Sequence, residues 1–352
     1  MNKPGQWFAV ALIVCALPAV AVAQQPLHDF LAPDGTVDIT HLQESGYEGA
    51  LDISGWNIEF HGSTGAPVFS LSGSVPTVDD CWSDEFPRPG ASSTILASTL
   101  HNGKLIVGGA FSEIGGVQAQ GVAAWNGTHW EAFGSGLGGV VWALGVFNGE
   151  LHAGGDMNIS GLTARIARWD GSSWQMLGTG VNNSVRALTT YGGELIAGGN
   201  FSTAGGSPAN GVARWDGTNW NPLGAGVNSR VNALIEYAGR LYAGGTFSLA
   251  GGSPAAFIAS WDGANWAPLG SGTNGEVRDL TIDHLGFLGV GGAFSVAGGL
   301  GASHVAGWNG GAWFTYGGGL IPGTGANAIA VSGGTLYAAT NLQVYEFVGG
   351  AW

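Results

Sequence analysis

Six short segments follow the pattern Val-x-Ala-Leu, and in them the second place changes chemistry while its neighbours stay mostly apolar. In chain order it holds Leu96, Trp142, Arg186, Asn232, Arg278 and Asn327. Asparagine and arginine bring hydrogen-bond donors, and arginine adds a rigid positive fork that matches an anion. Tryptophan adds an apolar plate for stacking. Gathered at one place, such a set suits a sugar or a small anion, which makes Trp142, Arg186, Asn232, Arg278 and Asn327 the candidate ligand-binding residues. A water-filled cavity would carry a similar lining for a plainer reason, because bare charge is costly to bury.

Other chemistry is thin. His28, His41, His61, His101, His129, His152, His284 and His304 are scattered, with no H-x-H, H-E-x-x-H or His/Cys spacing that would hold a metal. Asp34, Asp38 and Asp156 are conceivable calcium ligands, yet no D-x-D-x-D-G loop accompanies them. Asp170, Asp216 and Asp262 stand in Asp-Gly pairs, where they form turns. The sequence therefore predicts no catalytic residue, no metal site and no cofactor.

The elements that position these residues repeat. Trp130, Trp174, Trp220, Trp266, Trp313 and Trp352 lie 44, 46, 46, 47 and 39 residues apart. The third unit is the clearest. It runs Val185-Arg-Ala-Leu, Tyr191-Gly-Gly, Glu194-Leu-Ile-Ala-Gly-Gly199, Phe201-Ser-Thr-Ala-Gly-Gly206, Val212-Ala-Arg-Trp-Asp-Gly217, Trp220-Asn-Pro-Leu-Gly224. Its alternating segments read as four strands, a to d, joined by glycine-rich turns. A period in the mid-forties with four strands per unit predicts an all-β fold, a β-propeller in which each repeat is one blade. Six blades are expected, with seven as the alternative.

These residues resemble the kelch family, whose units carry a Gly-Gly doublet after a strand and then an aromatic pair. Tyr242-Ala-Gly-Gly245 followed by Trp261-Asp-Gly-Ala-Asn-Trp266 shows that pattern. The chain is also similar to the secreted kelch-like surface propellers of bacteria and fungi. The resemblance covers residues 82–352 and is specific for fold; it implies an interaction scaffold or, in a few members, an enzyme. With strand a innermost, as the kelch resemblance implies, its variable place becomes a ring around a central channel. The copper oxidases of the family use a Tyr-Cys cofactor, for which Cys81, ahead of the repeats, is the sole candidate here. Sialidase-type turns of the form S-x-D-x-G-x-x-W are absent; the units read W-D-G-x-x-W instead.

The N-terminus opens with Met-Asn-Lys, an apolar run from Trp7 to Val22 and Ala21-Val22-Ala23, which reads as a signal peptide over residues 1–23. Pro18 interrupts the run before it reaches the roughly 20 residues of a membrane span. Cleavage removes Lys3 and no acid, leaving 24 acidic against 10 − 1 = 9 basic residues and a formal charge of −15. That balance excludes nucleic acid and anionic membranes as partners. Cys81 is then the only cysteine, so packing alone must stabilise the fold. Residues 24–81 lack the repeat and read as a leader with irregular strands. Residues 82–88 are expected to complete the last blade, closing the ring with both termini.

The expected function is a secreted, monomeric, non-catalytic scaffold that binds an extracellular protein or glycan. The alternative is an extracellular polysaccharide hydrolase or lyase, which would need carboxylates converging on the channel.

Overall fold

The computed structural model describes residues 90–159, 162–320, 325–341, 343–348 and 350–352, with the backbone of four short strands at Gln25–Pro26, Leu51–Asp52, Trp56–Phe60 and Pro67–Leu71. The expected signal peptide and residues 82–88 lie outside the described residues. So does most of the 24–81 leader.

Each repeat folds into a small antiparallel sheet. In blade 3, strand a (Val185–Tyr191) pairs with b (Glu194–Gly199), b with c (Val212–Trp215) and c with d (Trp220–Pro222). Blades 1, 2, 4 and 5 have the same order, with strand a at Ile95–His101, Val140–Phe147, Val231–Tyr237 and Val277–Ile282. Blade 6 has three strands, Ala328–Ser332, Thr335–Ala339 and Val344–Phe347. The described residues hold no helix, and the chain is a six-bladed ring of sheets. Blade 2 departs from the repeat by running b and c on as long strands, Glu150–Ile159 and Leu162–Trp169, where blades 1, 3, 4 and 5 have a separate b–c hairpin.

Local sequence explains the elements. The a–b turns of blades 1, 2 and 4 place Asn102, Asn148 and Ala238 at positive φ (50°, 51° and 49°), each followed by a glycine, the twist that a two-residue hairpin needs. In the c–d turn of blade 3, Asp216 Oδ1 accepts the backbone N–H groups of Thr218 and Asn219, at 2.9 and 2.7 Å. Those bonds hold its exposed carboxyl below the usual range.

The core lies between blades. Residues of one blade that face forward, such as Ile196 and Val212, meet residues of the next that face back, such as Leu241, Ala243 and Trp266. The Gly-Gly pairs allow close approach on two sides, the first glycine to the next blade and the second to the start of strand a in its own blade. A Cβ on Gly198 would stand 2.7 Å from Val231 Cγ1, and one on Gly199 would stand 2.0 Å from the Ser184 carbonyl oxygen. The second tryptophan of each unit links neighbouring blades. The Trp220 indole donates to the Leu177 carbonyl at 3.0 Å, Trp266 to Leu223 at 2.9 Å, Trp313 to Leu269 at 2.8 Å and Trp174 to Phe133 at 3.1 Å. Burying a Trp contributes on the order of 4–6 kcal/mol as an upper bound, so these are core residues.

Trp352 takes the same place in blade 6. Its indole donates to the Tyr316 carbonyl at 2.9 Å, and its ring lies 5.2 Å from Phe347.

Candidate functional site: the central channel

Strand a is not regular at its start. In blade 3 the register jumps between Val185 and Ala187, so Arg186 is an inserted bulge residue. The same jump falls at Leu96, Trp142, Asn232 and Arg278. A bulge re-aims one side chain without moving its neighbours. Here Val185 and Leu188 stay against the preceding blade, where both would meet a Cβ on Gly154, while the residue between them is released to the channel. Asn327, just ahead of strand a in blade 6, completes the series.

All five predicted ligand residues therefore line one cavity of about 540 Å³, to which strand a of every blade contributes. Their environments differ. Arg278 donates to Asn327 Oδ1 at 2.7 Å and reaches Glu276 at 3.4 Å. Arg230 pairs with the same Glu276 carboxylate at 2.6 Å and donates to Asn232 Oδ1 at 2.7 Å. Asn232 in turn donates to Glu276 at 3.0 Å and to the Val277 carbonyl at 2.8 Å. Burial raises Glu276, but the hydrogen bonds from Arg230 and Asn232 and the charge of Arg278 outweigh it and hold the carboxyl below its ordinary range. One side of the channel is thus a closed network.

Arg186 stands apart. Its guanidinium carbon lies 4.1 Å from the centre of the Trp142 ring, its Nε is buried without a hydrogen-bond partner, and among the described residues it has no ion pair. Burial first, then the charge of Arg230, disfavours its cation. Trp142 is itself anchored, donating to Asp156 Oδ2 at 3.2 Å. Asp156 also takes the Arg165 guanidinium and the Ser184 hydroxyl. The aspartate weighed as a calcium ligand is therefore engaged by an arginine. Among the described residues no group of three or more His, Cys, Asp or Glu side chains is placed to hold a metal.

Three residues that line the channel were not among the predicted set: Arg230, Glu276 and Asp279. Arg230 and Glu276 occupy the place just before the Val-x-Ala-Leu segment, filled elsewhere by Thr94, Val140, Ser184 and Gly325. Asp279 stands where the other units have Ala97, Ala143, Ala187, Ala233 and Ala328. Its carboxylate accepts the Leu280 N–H and, across the blade junction, the Ile329 N–H, both at 2.8 Å. Burial pushes its pKa up to about 6.

The b-to-c and d-to-a loops, polar and glycine-rich, spend their side chains internally. Asn228, in the loop entering blade 4, accepts the N–H groups of Ser248 and Leu249, both at 2.9 Å. Asn182 and Asn274 do the same in blades 3 and 5. A cavity of about 450 Å³ opens beside Asn210 and Asn228, but no charged residue lines it.

The fold and the channel define a β-propeller. A family model described as the Rax2 C-terminal beta propeller domain matches residues 92–233, less than half of the chain. Among solved structures, the chain is similar to the extracellular domain of the BT4673 one component system of B. thetaiotaomicron, with 12% identity and a TM-score of 0.51 over 73% of this chain and 32% of that one. A structure described as the extracellular domain of the BT4673 hybrid two component system gives 10% identity and a TM-score of 0.49, over 84% of this chain and 34% of that one. The chain thus spans about a third of the length of either structure. At such identity the likeness is one of fold. No curated protein matches the chain in sequence.

Proposed function

We propose that this propeller is a secreted, non-enzymatic scaffold that binds an extracellular protein or glycan through its central channel, with kelch-like units supplying the frame. Arg186 carries the reading. A guanidinium stacked on an indole, with unspent donors facing a cavity, is arranged to receive a carboxylate, another anion or a pair of hydroxyls. The remaining ring residues are held by one another, which fixes the shape of the cavity before a ligand arrives. A screen of residues 24–352 against glycans and extracellular proteins, run beside Arg186→Ala, tests the proposal. Binding that Arg186→Ala loses while keeping its melting temperature supports it; binding that the variant retains places the ligand elsewhere.

One observation favours a polysaccharide hydrolase or lyase as the second reading, namely the raised carboxyl of Asp279 on the channel wall. Turnover of a bound oligosaccharide that Asp279→Asn abolishes would establish it.

A further inference from the structure

The carboxylate and amide oxygens of the channel wall are already engaged. Glu276 accepts from Arg230, Asn232 and Arg278. Asn232 Oδ1 accepts from Arg230, Asn327 Oδ1 accepts from Arg278, and the two oxygens of Asp279 take the Leu280 and Ile329 N–H groups. Arg186 is the opposite case. It makes no hydrogen bond among the described residues, and its Nε is buried without an acceptor. The wall therefore presents free donors beside occupied acceptors, which fits a ligand group that only accepts, as an ionised acid does.

Charge points the same way. The chain is acidic, with a formal net charge of −14, but the cavity wall is not. Arg186, Arg230 and Arg278 line it together with Glu276 and Asp279, so three guanidinium groups meet two carboxyls and leave one positive charge even when Asp279 is ionised. Arg230 and Arg278 share Glu276. That leaves Arg186 as the channel guanidinium with no ion pair among the described residues. Asp156, which accepts the Trp142 indole, is itself paired with Arg165. A partly buried cation without a partner lowers stability, and packing does not demand one here, because the same place holds Leu96, Trp142, Asn232 and Asn327 in other blades.

We propose that the channel's ligand is an acidic sugar residue whose single negative charge pairs with Arg186, an inference that rests on the channel being the binding site. One surplus positive charge matches a monoanion, either a carboxylate or a sulfate ester. A phosphate monoester, at about −1.5 to −2 near neutral pH, would exceed it. The cavity of about 540 Å³ has the size of a small-molecule site. A peptide would bring a backbone N–H at each residue and meet oxygens already engaged, whereas a sugar hydroxyl can turn and accept from a guanidinium.

The test titrates the whole protein with galacturonic acid, with its neutral methyl ester and with galactose 6-sulfate, followed by ligand-observed NMR. The acid or the sulfate should bind about tenfold more tightly than the ester, in which the charge is masked. Whichever anion binds better identifies the group as a carboxylate or a sulfate ester. Arg186→Gln, which keeps a donor without the charge, should lose that preference and keep its melting temperature; the comparison of acid and ester on the unmodified protein stands whether or not the variant folds. Binding of neither anion overturns the proposal, as does tighter binding of N-acetyl-aspartyl amide, which would assign the site to an acidic peptide. Equal binding of acid and ester that Arg186→Ala abolishes overturns the proposal and spares the channel as the binding site. Binding of the acid that Arg186→Ala leaves intact sinks both.

Discussion

The Arg186 guanidinium lies over the Trp142 ring at 4.1 Å, and the two residues are the bulge positions of consecutive blades. The pair forms because a bulge in each strand a turns one side chain out of the blade interfaces and into a shared space. Stacking holds the cation without consuming its donors.

This arrangement predicts that Arg186→Ala abolishes channel binding with little change in stability, since the side chain makes no hydrogen bond among the described residues. Arg186→Lys should fall well short of rescue. A lysine keeps the charge but has neither the planar stack nor the fork, and the loss should be about 1–3 kcal/mol of binding energy. Calorimetric titration of both variants with the ligand identified by screening measures it; full affinity in Arg186→Lys would show that only charge matters.

Trp220→Ala should destabilise the fold by roughly 3–5 kcal/mol, through the cavity left by a large buried side chain. Trp220 is 6% exposed, and the variant also strands the Leu177 carbonyl that the indole satisfied at 3.0 Å. Thermal unfolding and the secreted yield both report the loss. An unchanged melting temperature would place this Trp outside the core.

Much of this was legible in the sequence, for definable reasons. Trp130 to Trp313 recur because every blade junction repeats one packing problem, and the variable place between Val185 and Ala187 stood out because its neighbours are fixed by that packing. Arg230 and Glu276 escaped notice because they precede the apolar segment, in a column that changes from unit to unit and reads as loop. Asp279 was hidden by the opposite effect: a column that is otherwise alanine reads as apolar wall. The role of Trp352 needed the structure, since it follows Trp313 by only 39 residues, short of the repeat period.

The loop face also shows a limit of composition. Asn228 lies in a polar loop, the composition of a surface free for a partner, yet it clamps the b–c hairpin through Ser248 and Leu249. Asn228→Ala should therefore cost about 1–2 kcal/mol by leaving these N–H groups without their acceptor. Asn228→Ser should cost less, because Ser92 performs the same task in blade 1, accepting Ser112 and Glu113 at 3.0 and 3.1 Å. Chemical denaturation of the two variants distinguishes a clamp from a free surface group, for which both changes would be silent.

Asp279 offers the sharpest test of whether the channel trades stability for function. Burial raises its carboxyl from an ordinary 3.8 to about 6, so the folded protein prefers the protonated form. The sign follows: no penalty exists below the unfolded value, and stability falls as pH rises through the folded one. A difference of about 2 units at 1.36 kcal/mol each makes the loss roughly 3 kcal/mol above pH ~6. Asn at this place keeps an acceptor for the Ile329 N–H but cannot ionise. Wild type and Asp279→Asn should therefore differ by a constant below pH ~4, and wild type should lose ground between pH ~4 and ~6. Melting temperatures of both proteins across that range check it; a pH-independent difference would show that the carboxylate is not desolvated. Alanine fills this place in the other five units, so a charge that lowers stability at neutral pH points to a demand of the channel and not of the fold.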